Sequence, residues 1–527
     1  MAGIGFELKK MFSKKGVFQL IRAYGYAGTV CVGPMLLGMF FLILIGLMSA
    51  YFGASFHERE LLNSMVTYTL LASMVWSNTF SMVMTRFVAD SLYSGSRGAV
   101  LPAFWGSTCV MLISGEIMYG IFMAFAGVTA VYALLCVVLF GELVIVWNEM
   151  SYLTAVKNYR GIIKVFASAV VAAAAAGAVL LMLFNSEVIS AMLFTVVLAY
   201  GVMAVFYYKL MGDYFPKGDV TAACFLPWFD RYPSLVFLGL AMSLGLFGHL
   251  VIMWGSPAGE HIQGLFYAAP AYDIPAIAAF LSILVTTINF VISVEVNFYP
   301  RYRAYFDALN NGGILKDINQ AGDEMKSVLY RELTYTFMKQ LFVTIVFIIV
   351  GSIVLPKLPL GMNDDMLGIF RVLCMGYAFY AVGNCLMLIQ LYFADNKGAL
   401  ISALSFMSVS CAGTWVCSRL DTMYYGAGFW IGTVVFSIVA FTGLRLYLRR
   451  LLYHVLCSQP VVEEVKKGLL TNAASYFGSE YEKRWRKESG QWNLAGRNRR
   501  EEVKKSNGLY LSGGAVCRAG SMLHEQL

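Results

Sequence analysis

The sequence predicts an all-α polytopic membrane protein: about twelve transmembrane helices in two six-helix bundles related by a pseudo-two-fold axis, with both termini in the cytoplasm. Three observations lead there. Twelve apolar stretches of spanning length lie between Tyr24 and Leu446, hydrophobic residues make up 59% of the 527-residue chain against 13% charged, and Lys and Arg collect on alternate connecting segments. A bilayer core about 30 Å thick needs roughly 20 apolar residues in a helix rising about 1.5 Å per residue. The uncharged run from Val165 to Phe184 meets that need. Soluble domains carry about 25% charged residues, so this composition, with a mean hydropathy of +0.67, excludes a water-soluble core of this size.

The expected spans are 24 to 51, 62 to 85, 101 to 126, 128 to 153, 162 to 184, 187 to 210, 232 to 254, 272 to 297, 333 to 355, 366 to 393, 398 to 418 and 425 to 446. The first is far longer than the roughly 7 to 15 residues of a signal-peptide core and is expected to stay as a span. Gly161 and the alanine run from Ser168 to Gly177 predict close helix packing in span five. Ten cysteines are scattered without a CxxC, most of them inside apolar runs, so neither a disulfide framework nor a metal site is expected.

With the amino terminus inside, the outer loops hold only Arg59, Lys357 and Arg419, and the long outer loop from Gly255 to Ala271 holds no Lys or Arg. The inner segments are far more basic, from Lys9, Lys10, Lys14 and Lys15 to Arg445, Arg449 and Arg450. The positive-inside bias therefore places both termini in the cytoplasm.

A division follows: an amphipathic cytoplasmic segment at 1–23, a six-helix bundle at 24–210, a polar linker at 211–231, a second bundle at 232–450 and a cytoplasmic tail at 451–527. The tail has clustered basic residues and no run of spanning length, and is expected to be a flexible extension. A short echo accompanies the division. Arg86, Asp90, Leu92 and Gly95 after span two match Arg303, Asp307, Leu309 and Gly312 after span eight, in the pattern R-x3-D-x-L-x2-G. The echo reads either as a repeat or as two unrelated helix ends stopped by glycine. Two cytoplasmic pieces have one apolar helical face each: Ile4, Leu8, Met11 and Phe12, and then Ile314, Ile318, Ala321, Met325 and Val328. Each predicts a helix lying on lipid, on a partner or on the protein's own inner surface.

Ionisable groups within spans cost about 2.5 to 3.5 kcal/mol on insertion scales, so each is a functional candidate. Glu116 lies in span three, Glu142 and Glu149 in span four, His249 in span seven, Glu295 in span eight and Arg371 in span ten. Glu142 and Glu149 are seven residues apart and share a helix face, with Asn148 and Tyr152 nearby. Such a stripe suits sugar hydroxyls, an amino-sugar cation or a coupling proton. Structural roles compete: Glu149 and Glu295 could snorkel or pair with Arg160 or Arg301, Arg371 could pair with Asp364 or Asp365, and Lys339 could snorkel inward. His249 fits a satisfied core histidine, and Asn289, Asn384 and Gln390 could bond between helices, worth about 0.6 kcal/mol each. GxxxxGK[ST], HExxH and G-x-S-x-G are all missing, so no enzyme, no cofactor and no nucleic-acid partner is expected.

The opening Met1-Ala2-Gly3-Ile4-Gly5-Phe6-Glu7-Leu8-Lys9-Lys10, then Tyr24-Gly25-Tyr26-Ala27-Gly28 leading into Gly33-Pro34, closely resembles the start of the PelG family, polytopic inner-membrane components of Pel exopolysaccharide systems. The resemblance runs to about Pro460; the tail departs from it. Such proteins are similar to the multidrug, oligosaccharidyl-lipid and polysaccharide exporter superfamily, with twelve helices in two lobes around a central cavity. The resemblance implies export of a cationic, amino-sugar-rich polysaccharide across the cytoplasmic membrane, beside a cytoplasmic glycosyltransferase and other membrane subunits of a Pel-type synthase complex. The substrate-pathway candidates are then Glu116, Glu142, Asn148, Glu149, Asn289, Glu295, Arg371 and Asn384. The sequence leaves open a scaffold for a synthase and an ion-coupled flippase of lipid-linked oligosaccharide.

Overall fold

The computed structural model describes residues 17–156, 158–184, 187–218, 220–457 and 468–477. Helices carry nearly all of it. The first half holds α1 (Val17–Tyr51), α2 (Phe56–Tyr93), α3 (Val100–Phe125), α4 (Ala130–Val156), α5 (Tyr159–Phe184) and α6 (Val188–Tyr214). After the short linker helix α7 (Leu226–Arg231) come α8 (Pro233–Trp254), a hairpin of β1 (Glu260–Gln263) and β2 (Phe266–Ala268), then α9 (Pro270–Phe280), α10 (Leu284–Ile292), α11 (Tyr299–Asn310) and α12 (Leu315–Val354). The remaining helices are α13 (Asp364–Tyr392), α14 (Asn396–Cys417), α15 (Ala427–Arg449), α16 (Leu451–Leu456) and α17 (Leu469–Phe477).

Among the described residues, eleven helical segments are long and apolar enough to cross a membrane. The expected span two lies inside α2, whose 38 residues are ample but more polar than the rest. Its polarity is turned inward: Thr69, Ser73 and Ser77 are all buried where α2 packs on α4 and α8. The helix starts cleanly because Ser55 and Glu58 form a capping box, each side chain satisfying the other's backbone N–H.

Span eight is not one straight helix. It runs from α9 through a 3₁₀ turn, α10 and a π-helical stretch at Ser293–Phe298 into α11. Pro300 at the start of α11 supplies no backbone N–H, which fits the break next to it; Pro275 lies inside α9, which continues past it to Phe280. Of the amphipathic stretch from Ile314 to Val328, Ile314 is the exposed N-cap residue and the rest belongs to α12, a single 40-residue helix. Ile318 and Met325 are buried in an aromatic cluster that includes Tyr302, Tyr305 and Phe306 of α11, so that face packs on the protein itself.

Residues 1–16 of the expected amphipathic segment lie outside the described residues; from Val17 onward that segment is already α1. The tail departs from a wholly flexible extension in its described portions. α17 packs on α7, and Asp230 Oδ2 accepts from Thr471 N at 2.6 Å and Thr471 Oγ1 at 2.7 Å, capping α17 from outside its own sequence.

The halves meet where α2 packs on α8 and α1 on α10. The crossing of α2 and α8 is backbone-close. A Cβ on Gly239 would overlap the Asn78 carbonyl oxygen, and Asn78 Nδ2 donates to Ser243 Oγ at 2.9 Å beside it. Gly239→Val should therefore cost about 1–3 kcal/mol by overpacking, read as a lower unfolding midpoint in detergent. Gly46→Ala, at a position with nothing within 4 Å of the added Cβ, should not lower it.

Candidate polar pathway and its acids

The acids of the first half sit on two neighbouring helices, α3 and α4. Glu116 of α3 directs Oε1 at Gly141 of α4, where a Cβ would overlap it. One step on, Glu142 of α4 faces Gly201 of α6, whose added Cβ would stand 2.7 Å from Glu142 Oε1. Glycine thus makes the room that each carboxylate occupies. Glu149, two turns along α4, is 1% exposed. Among the described residues, the Oε2 atoms of Glu116, Glu142 and Glu149 are buried without a hydrogen-bond partner. Glu149 is thus enclosed rather than extended toward a membrane surface.

Asn148 and Tyr152 point elsewhere. Asn148 Nδ2 donates to Ser107 Oγ at 3.0 Å and Thr108 Oγ1 at 2.9 Å, and the Tyr152 hydroxyl lies 3.2 Å from Ser107 Oγ. The polar stripe of span four therefore divides: Glu142 turns to α6, while the amide and phenol join α4 to α3. Trp147 Nε1 donating to Ser73 Oγ at 3.2 Å, and Ser81 bonding Ser151 at 2.8 Å, tie α4 to α2.

Other candidates lie in the second half. Asn289 of α10 is buried, accepts from Lys339 Nζ at 2.8 Å and donates to Thr336 Oγ1 at 3.5 Å. Lys339 thus bonds an amide on a neighbouring helix. Next to this pair Thr286 donates to Gln340, which donates to Thr344 Oγ1 at 3.0 Å. Glu295 belongs to the π-helical stretch, and its side chain lies outside the described residues. Arg371 Nε donates to Ser352 Oγ of α12 at 3.2 Å, whereas Asp364 and Asp365 occupy the first turn of α13. Asn384 is half-buried on α13. His249 Nδ1 lies 2.9 Å from the Tyr272 hydroxyl in an aromatic core with Phe429. The structure therefore sets Glu116 and Glu142 against glycines of neighbouring helices, turns Asn148 to hydroxyls of α3, buries Glu149 on α4, and leaves Asn289, Arg371 and Asn384 on the helices of the other half.

Two surface grooves lie apart from the acids. One of about 310 Å³ is lined by Ile43, Arg59 and Glu60, and one of about 470 Å³ by Asp395, Arg449, Arg450 and His454. Among the described residues no three His, Cys, Asp or Glu side chains stand close enough to hold a metal ion. Sequence reasoning passed over Gly141 and Gly201, which shape the acid niches, and Trp228, whose Nε1 donates to Asp90 Oδ2 at 2.8 Å. Gly201 has no carboxylate within ten residues, and Gly141 makes room for Glu116 of another helix rather than for its neighbour Glu142, so neither role carried a local signal.

Residues 1–456 match the PelG family model, described as "Putative exopolysaccharide Exporter (EPS-E)". The chain belongs to the PelG family. Among curated proteins no relative matches it. Solved structures of similar fold include a point mutant of the Vibrio cholerae MATE transporter VcmN, with TM-score 0.55, 10% identity, and 85% of this chain and 98% of that one covered. They also include the eukaryotic MATE transporter AtDTX14, with TM-score 0.54, 12% identity, and 86% and 98% covered. Identities this low bear on fold alone. The family is described as an exporter family, the fold is that of MATE transporters, and the family match stops before α17.

Asn148→Ala leaves Ser107 and Thr108 without their shared donor and should lower the unfolding midpoint, by an interhelical bond worth about 0.6 kcal/mol and up to about 1.7. Glu149→Gln removes an ionisable group from a site with no counter-charge, and its midpoint should be equal to or above that of the parent.

Proposed function

We propose that this PelG-family protein translocates a Pel-type, amino-sugar-rich exopolysaccharide across the cytoplasmic membrane, working with a cytoplasmic glycosyltransferase and other membrane subunits of the synthase. One observation carries the reading: the family match over residues 1–456 falls on a transporter fold whose first half carries three acids, each with one buried oxygen that has no partner among the described residues. Buried carboxylates between helices are costly unless they serve a passing ligand or ion. A polymer bearing amino groups offers them a counter-charge, and Glu116, Glu142 and Glu149 are the residues assigned to meet it. No nucleotide-binding loop is present in the sequence, so the driving force is assigned to a separate synthase or to an ion gradient.

We further assign the helices to two six-helix halves, 24–210 and 232–450, related by an axis along the membrane normal, with both termini in the cytoplasm. The repeated packing supports this. α2 on α4 is matched by α9 on α13, α4 on α6 by α13 on α15, α5 on α6 by α14 on α15, and α1 on α5 by α8 on α14. The contacts of α1 with α10 and of α2 with α8 exchange under the same operation. The basic inner segments support the orientation.

Reconstitution with the partner glycosyltransferase and a labelled nucleotide sugar should accumulate polymer protected on the far side of the vesicle. Polymer found only on the synthase side would overturn translocation by this chain. Glu142→Gln should reduce polymer release at unchanged protein level; unchanged release would remove Glu142 from the pathway.

A further inference from the structure

The loop joining α8 to α9 reaches into the opposite half. Its hairpin pairs Glu260 with Ala268 and His261 with Tyr267, and turns at Gly264, where φ is +58°. At the turn Leu265 N donates to Ala126 O at 3.0 Å and Gln263 Nε2 donates to Gly127 O at 3.2 Å, both in the α3–α4 loop of the first half. The approach leaves no room for a side chain. A Cβ on Gly264 would overlap the Ala126 carbonyl oxygen, and one on Gly127, itself at φ +72°, would stand 3.0 Å from the Gly264 Cα.

Tyr68 of α2 grips the second strand. Its hydroxyl donates to Tyr267 O at 3.1 Å and accepts from Tyr267 N at 3.2 Å, as a neighbouring strand's backbone would. Its ring stacks on Trp254 at 4.5 Å and meets the edge of Phe266 at 5.1 Å. Phe266 comes from the second half of the sequence yet is fully buried in the first half's hydrophobic core. A polar linker joins the halves covalently at one end of α8, and the hairpin lies at the other, about 33 Å away for 22 helical residues. At that far end the hairpin's contacts are non-covalent and include no ion pair among the described residues.

We infer that the Glu260–Ala268 hairpin is a releasable latch, with Phe266 as its bolt, that holds the two halves shut at this end and must withdraw for polymer to leave. The role in export rests on the translocation reading above; the latch itself is tested without it. A hydrated sugar chain is wider than a helix crossing built on glycine, so its exit needs the seam to part. The hairpin is the part of the seam that can swing out without unfolding a spanning helix, because it is tied only through the short segments flanking it.

The test uses the full-length protein in lipid nanodiscs. Spin labels placed through unnatural amino acids at exposed Thr129 and Glu260 report the latch directly. The parent should give a single short distance. Gly264→Val, Phe266→Ala and the milder Tyr68→Phe, which keeps the ring and loses both hydrogen bonds, should each add a longer population. Unchanged distances in all three variants would overturn the latch. In the second arm, Val128→Cys with Gln263→Cys is joined by a short reducible thiol cross-linker, with single-cysteine variants as controls for native thiols. Cross-linked protein should export at least tenfold less polymer, and reduction should restore it. Full export while cross-linked would overturn the gate. If even the parent fails to export, translocation fails while the distance measurement still decides whether the hairpin opens.

Discussion

In a bilayer the solvent is as apolar as the helices, so nothing squeezes them together except close packing and the bonds they make with one another. Small residues therefore decide where this protein's helices meet. Gly106 lies against the Ala222 backbone, Gly239 against Asn78, Gly177 against Thr195, and Gly428 against Gly413 and Thr414. Each contact brings two backbones, or a backbone and a hydroxyl, closer than any larger residue permits. The acid niches extend the same device. Gly141 and Gly201 make space on one helix that a carboxylate on the next occupies, so packing and charge placement have a common origin in the missing Cβ.

Polar side chains then sort by what they find. Asn148, Trp147 and Ser151 find hydroxyls on α2 and α3 and become part of the frame. Glu142 and Glu149, on the same helix, find no donor for one oxygen each. The fixed polar bonds align the helices, and under the proposed function the unsatisfied carboxylates are the groups assigned to a passing cation. Their separation onto different faces of α4 keeps the second from being quenched by the first.

Much of this was legible in the sequence because spanning length and apolarity are one-dimensional properties. Span two is instructive: its position was readable, although Thr69, Ser73 and Ser77 make it too polar to pass as lipid-facing, because they face protein. The breaks in span eight were hidden, since Pro275 and Pro300 signal a kink but not the π-helical stretch between them. The Gly255–Ala271 loop showed only its lack of basic residues, and the burial of Phe266 depends on a partner surface far away in sequence. The docking of α17 was unreadable for the same reason, since Asp230 lies more than 200 residues before the helix it caps.

The echo after spans two and eight has the same local form in two different surroundings. Gly95 and Gly312 both turn the chain at positive φ, +77° and +72°, just past their helix ends. Arg86 pairs with Asp90 at 3.1 Å and Arg303 with Asp307 at 3.5 Å, each four residues apart on one face. The first pair is nearly buried and the second mostly exposed. The cause is topological: a chain of two halves has one linker, and it passes over only one of the two helix ends. There Trp228 donates to Asp90 and Tyr232 lies under the Arg86 guanidinium at 5.2 Å. A surface pair of the Arg303 kind contributes about 0–1 kcal/mol, whereas breaking a buried one leaves an uncompensated charge costing about 3–5 kcal/mol. The same motif is thus structural glue in the first half and a weak surface pair in the second, and the linker that makes the difference is also the surface on which Asp230 receives the tail helix.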